Sequence, residues 1–341
     1  MSTIVGWLGV ASGIAVALAL VRLAALMLPR GGVVRARNAF LLKRGAGIRF
    51  DWTPMNVPHD FPVAKRVAPA VIVRAMRDAG IDRIEGDRTR AFAIVGCLLR
   101  NANTGGGIRA DLATTFRGIQ AGRGYCADFV RVYMVAAACV NLFCRRWAFS
   151  FDGFGGHGHT FVEVYDGAHA RWTFIDVFNN VYAVKRGEQR PLDALELRAQ
   201  LIRDPGAVQF VQASSGRLGY PHHEKLVDYY GRGGREWCIW WGNDESDREY
   251  DVLARILRRF SGRLAYRLIT GMLTAPHLIA LEDGNDEAAL ARVATLRREI
   301  VRAGTVALVG ALLVVFSISV AQAAKLAVLG LSPVPEPRIT H

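Results

Sequence analysis

Cysteine is scarce in this chain and shows no pairing pattern. The 341 residues hold five, Cys97, Cys126, Cys139, Cys144 and Cys238, an odd number without metal-type spacing. They read as reduced thiols, which argues against a disulfide framework or a zinc ribbon and suits a cytoplasmic setting. A phosphate loop is missing too: no Gly-Lys-Ser/Thr follows Asn103-Thr-Gly-Gly-Gly, and that stretch is no dinucleotide fingerprint. His222-His-Glu-Lys-Leu-Val has no second His four residues on, so the zinc-protease pattern fails. Acidic side chains are outnumbered, giving a net charge of +13, yet no stripe of basic residues interleaved with aromatics accompanies the excess. A nucleic-acid partner is therefore not expected. No internal repeat or low-complexity tract is present.

What the chain does have is two long apolar runs. Ile4 to Val21 carries no charge and continues through Arg22 to Leu28, and Ala303 to Ala324 is a second uncharged run ending at Lys325. Each can cross a hydrocarbon core of about 30 Å. A cleaved signal peptide is not expected, because no basic residue precedes the first run and Leu-Pro-Arg-Gly-Gly, not a small-residue cleavage site, follows it. Arg30, Arg35, Arg37, Lys43, Arg44 and Arg49 follow the first run, and Arg292, Arg297, Arg298 and Arg302 precede the second. Basic flanks stay cytoplasmic, so the expectation is a two-pass protein of the inner (plasma) membrane with the intervening region in the cytoplasm. These flanks account for much of the positive charge and can rest against anionic headgroups.

Periodicity divides the rest. The expected segments are a transmembrane helix over 1–28, a basic connector over 29–64, a domain over 65–185, a mostly helical extension over 186–302, a second transmembrane helix over 303–324 and a tail over 325–341. Helices are expected over Val67–Ala79, Asp87–Leu99 (capped by Asp87), Cys126–Val140, Pro191–Ile202, Asp247–Phe260 and Asp286–Arg302. Arg146–Phe151 reads as a strand and Gly153-Phe-Gly-Gly-His-Gly as a flexible loop. Trp237, Trp240 and Trp241 read as packing or a membrane-facing edge.

Chemistry concentrates in three blocks. Cys126 lies in Gly122-Arg-Gly-Tyr-Cys-Ala-Asp-Phe, His159 in Gly158-His-Thr-Phe-Val-Glu-Val-Tyr and Asp176 in Trp172-Thr-Phe-Ile-Asp. A thiol, an imidazole and a carboxylate are the parts of an activated nucleophile: the thiolate attacks, the imidazole carries the proton and the carboxylate fixes its tautomer. Cys126 sits where a Gly-rich turn meets an apolar helix, a place that favours thiolate. Thr160–Tyr165 and Arg171–Asp176 alternate like the arms of a hairpin around Asp166-Gly-Ala-His169, which would set Tyr165 opposite Ala170, Glu163 opposite Trp172 and His159 opposite Asp176. The Cys126 N–H could donate to an oxyanion, with Gln120 as a side-chain candidate. His157 is a rival base without a cross-strand acid, and Asp128 is expected to cap or to bond within the core.

These blocks resemble those of the transglutaminase-like superfamily, whose bacterial members carry Gly-x-Cys-x-Asp-Phe/Tyr-Ala, His-Ala-Trp-x-Glu-Val and Trp-x-x-x-Asp. The likeness covers roughly residues 85–185. It implies an α+β, papain-like domain with a central Cys-bearing helix packed on an antiparallel sheet, here flanked by two transmembrane helices. It also implies amide hydrolysis or exchange through a Cys126 thioester on a protein or peptide substrate, with no required cofactor. Thr160-Phe161 replace the usual Ala-Trp after His, and Val177-Phe-Asn-Asn replaces Pro-Thr after Asp, which bears on the substrate. Hydrolysis is favoured over cross-linking because no second-amine site is visible. The competing reading is a catalytically silent domain of this kind acting as a membrane scaffold or binding module.

Overall fold

Alternating side chains between residues 144 and 185 build the centre of a mixed eight-stranded sheet, seen in a computed structural model. It describes residues 2–29, 31–64, 68–101, 105–108, 110–216, 224–245, 277–281 and 285–328. Strands β1 (Leu42–Arg44), β2 (Cys144–Ser150), β3 (Gly158–Asp166), β4 (Arg171–Asp176), β5 (Val181–Lys185), β6 (Val208–Gln212), β7 (Trp237–Trp241) and β8 (His277–Ala280) lie in the order β1-β8-β7-β2-β3-β4-β5-β6. Only the β1–β8 pair is parallel.

Both faces of this sheet are covered, so its strands bury side chains in both directions. One face holds Val162, Val164 and Ile175 against helices α3 (Ala70–Asp78), α4 (Asp87–Leu98), α5 (Leu112–Gln120) and α6 (Cys126–Cys139). The other holds Trp147, Phe149, Phe161, Phe174, Trp237 and Ile239 against helices α7 (Ala194–Arg203) and α8 (Glu224–Gly233) and against Trp52 and Phe61. Helix α6 is buried along most of its length, at Phe129, Val130, Val132, Tyr133, Met134, Ala136 and Ala137, as its nearly uniform apolar sequence requires.

Two compact units emerge, 37–293 and a second formed by 1–36 with 294–341. Within the second, helix α1 (Ser2–Met27) packs against the later turns of helix α9 (Glu287–Val328) through small residues: Gly9 against Ser317, and Gly310 against Val16 and the Ser12 carbonyl. Small side chains let two helix backbones approach closely without a hydrophobic drive between them. Arg22 and Glu299 close the pair with a 2.8 Å ion pair. Both helices are long and apolar enough to cross a membrane.

Several expectations change. The sheet takes β1 from the expected connector and β6, β7 and β8 from the expected helical extension, so the expected 65–185 domain is part of one compact unit spanning 37–293. Long-range strand pairing decided this, and periodicity within one segment does not reveal a distant partner. Trp237 and Trp241 are buried in a central strand, where they pack. Asp87 opens α4 as its first residue, not its cap; its carboxylate accepts the Gly167 N–H at 2.9 Å, which ties α4 to the β3–β4 turn. The loop after β2 is pinned. Glu236 accepts the N–H groups of Gly153 and Phe154 at 2.9 and 3.1 Å, and Asn38 donates to the Phe154 carbonyl at 2.7 Å. The expected helix over Asp247–Phe260, His222 with His223, and most of the tail lie outside the described residues.

Candidate active site

Asp111 caps α5, and Gly122 and Gly124 then turn the chain sharply into α6, both at positive φ (74° and 120°) where a side chain would be strained. The entry to α6 is held by Asp128, whose carboxylate accepts the N–H groups of Tyr125 at 2.9 Å and Ile108 at 3.1 Å. This is the capping role expected of Asp128. Cys126 is thereby fixed as the first residue of the helix, half-buried, with an N–H that helix geometry leaves without an intrahelical acceptor.

The hairpin that carries the imidazole and the carboxylate is shifted from its expected register. Val162 pairs with Ile175, Glu163 with Phe174, Tyr165 with Trp172 and Asp166 with Arg171. Asp166 remains in the strand, accepts from His169 at 2.8 Å and leaves residues 167–170 as the loop, with Ala170 at positive φ (49°). The shift is two residues, so the faces are conserved. His159 and Asp176 become diagonal neighbours on the face that also carries Phe161 and Phe174, and the long imidazole spans the diagonal. Its Nε2 lies 2.8 Å from Asp176 Oδ2.

Cys126 meets the same imidazole from α6. The ring whose Nε2 engages the carboxylate is also hydrogen-bonded to the thiol, and the thiol receives the Thr160 N–H. His159 and Asp176 are 5 % and 0 % exposed. Burial pushes the Cys126 thiol up, but the charge and hydrogen bond of His159 and the Thr160 N–H outweigh it and leave the thiol below its ordinary value. Burial would lower His159, yet Asp176 and the Cys126 thiolate hold the imidazole well above its ordinary value. Burial likewise opposes ionisation of Asp176, and His159, Tyr230 and the Asn179 N–H together keep its carboxyl below the usual range. The arrangement favours a thiolate–imidazolium pair backed by a carboxylate. The remaining thiols are held neutral by burial: Cys97 and Cys139 are raised, Cys144 far more so, and Cys238 to about 12.

The structure brings Cys126, His159 and Asp176 together and leaves Gln120 out of these contacts. Its amide donates to the Cys97 carbonyl at 3.4 Å, so the end of α5 is stitched to α4 instead. His157 is exposed in the loop before β3. Among the described residues no cluster of His, Cys, Asp or Glu could hold a metal ion.

Three contributors were not singled out from the sequence. Asn179 donates its side-chain amide to Asp176 Oδ2 at 2.6 Å and its backbone N–H to Oδ1 at 3.1 Å. It belongs to the Val177-Phe-Asn-Asn stretch, and an Asn three residues after an Asp is a recognisable turn signal. Tyr230 donates its hydroxyl to Asp176 Oδ2 at 2.7 Å, and Tyr229 packs edge-on against His159 with ring centroids 5.7 Å apart. Both tyrosines come from α8, and no local pattern announces them. Comparisons with protein-family models, curated proteins and solved structures yield no match to this chain.

Proposed function

We propose that this protein is a membrane-anchored cysteine enzyme that cleaves or exchanges amide bonds through a thioester on Cys126, using a papain-like domain of the transglutaminase-like kind. The observation that carries the reading is the 2.8 Å contact between His159 and Asp176, with the Cys126 thiol hydrogen-bonded to the same imidazole. The Cys126 thiolate adds to the amide carbonyl carbon, and the first-turn N–H groups of α6 face the developing oxyanion. The His159 imidazolium then gives its proton to the departing amine as the C–N bond breaks, leaving the thioester and a neutral imidazole. Water, or a second amine, attacks the thioester carbonyl; His159 takes its proton, the C–S bond breaks and the thiolate returns. Asp176 holds the imidazole in the tautomer both steps need. Hydrolysis is the favoured outcome, since no second-amine site is visible in the sequence.

The substrate in this reading is a protein or peptide amide, and no cofactor takes part. Helices α1 and α9 tie the domain to the inner membrane. The clustered Arg and Lys on the inner flanks of both apolar runs place the domain on the cytoplasmic side in this reading.

Alkylation across pH tests the proposal. Detergent-solubilised protein treated briefly with iodoacetamide at pH 6 and mapped by mass spectrometry should be modified at Cys126 well before the other four thiols. Equal labelling of all five would refute an activated nucleophile and favour a silent scaffold.

A further inference from the structure

We infer that Tyr230 is a positioning residue for His159, acting through Asp176, and that helix α8 is therefore an obligatory part of the candidate site. The inference rests on the acyl-transfer reading above. Asp176 Oδ2 is the meeting point of three donors: His159 Nε2 at 2.8 Å, Asn179 Nδ2 at 2.6 Å and Tyr230 OH at 2.7 Å. The two bonds from Asn179 come from the turn that Asp176 itself begins, so they hold the carboxylate relative to its own turn. Tyr230 is the donor from outside the sheet that carries both Asp176 and His159. It arrives from α8, 54 residues further along the chain, and ties the carboxylate to that helix.

The tyrosine is suited to that task. Its ring is fully buried and wedged among Phe149, Phe174 and Phe210, with centroids 5.0, 5.6 and 5.2 Å away. The titratable groups facing it are Asp176 on β4, Cys126 on α6, His159 on β3 and Tyr229 on its own helix. Burial and the Asp176 charge keep the phenol protonated, so toward the carboxylate it acts only as a donor. A buried carboxylate that loses one donor is left with an unsatisfied lone pair and a weaker hold on its geometry. The imidazole would follow, because its Nε2 has that carboxylate oxygen as partner. A segment outside the sequence blocks that resemble known enzymes would thus set the alignment of the residues inside them.

The test is a double-mutant cycle on the full chain, read by the acylation rate of Cys126 with an activated ester and by the pH profile of its alkylation. Tyr230→Phe removes one oxygen and keeps the ring. It should slow acylation by about ten-fold, the scale of one net hydrogen bond. It should also move the acid limb of the alkylation profile to higher pH, because a less firmly held Asp176 orients the imidazolium less well and the Cys126 thiolate loses part of its counter-ion. In an Asp176→Asn background the same substitution should change the rate by less than about two-fold, since the group it acts through is gone. Equal slowing in both backgrounds would mean the hydroxyl matters only for packing, and an unchanged rate and profile in the wild-type background would overturn the inference outright. If Tyr230→Phe fails to fold, 3-fluorotyrosine at position 230 keeps the shape and sharpens the donor, so the acid limb must move to lower pH; a static limb overturns the inference. Wild-type Cys126 that is no more reactive than the other thiols removes the acyl-transfer reading and this inference together. A reactive wild type with an indifferent Tyr230→Phe removes only the inference.

Discussion

Cys126 and His159 shift in opposite directions because each stabilises the charged form of the other. The consequence for pH follows from the signs. Below the lowered thiol pKa the thiolate is lost, and above the raised imidazole pKa the proton for the leaving group is lost. Activity should therefore plateau between the two and fall on both sides. Stability follows the same linkage. The contribution of Asp176, whose folded value is depressed, is present above its unfolded pKa and is lost as pH falls through the folded one. That of His159, whose folded value is raised, is present below its unfolded pKa and is lost as pH rises through the folded one. Asp176→Asn keeps the shape but offers an amide that favours the wrong imidazole tautomer. The expected cost is about 10⁴-fold in acylation rate, as in a related triad. A loss of under ten-fold with the fold intact, judged by circular dichroism, would leave Asp176 a structural role only.

At the scale of elements, the site depends on how closely β2, β3 and α8 approach. A Cβ on Gly158 would lie 1.9 Å from the Phe149 carbonyl oxygen, and one on Gly233 would lie 2.1 Å from the Phe149 ring. Glycine at 158 lets β3 begin one residue before His159, and glycine at 233 lets α8 close over the strand that faces it. Gly158→Ala should push β2 and β3 apart at His159, destabilising the fold by about 1–3 kcal/mol or more as overpacking does. Urea denaturation checks this, and a variant as stable as the wild type would contradict the described packing. Helix α6 and the arms β3 and β4 were legible in the sequence because their apolar periods are strong and local. The hairpin register was legible only to the correct face: the turn depends on Asp166 bonding to His169 and on Ala170 adopting positive φ. The pinned loop at 151–157 was not legible, since glycine composition signals freedom while Glu236 and Asn38, which remove it, are distant in sequence. Tyr230 escaped notice for the same reason.

For the whole molecule, the ends of the chain were easier to read than the middle. Two uncharged runs and their basic flanks depend on composition alone, and both runs are helical. The extent of the larger compact unit depends on pairings between remote strands, such as β1 with β8 and β2 with β7, and no single segment encodes these. Topology gives a prediction at this scale. Alkaline phosphatase fused after residue 341 should be active if, as proposed, the basic inner flanks hold the domain in the cytoplasm and both termini lie outside. A silent phosphatase fusion whose green-fluorescent-protein counterpart is bright would reverse that orientation. In the proposed reaction Cys126 forms an acyl bond with the help of His159. The most direct measurement of that step is the intact mass of the purified protein after brief reaction with an activated acetyl ester and acid quenching. The account predicts one added acetyl group, mapped to Cys126, labile to hydroxylamine, and formed much more slowly in His159→Ala. Acetylation spread over several residues, or formed on Cys126 at the same rate without His159, would contradict it.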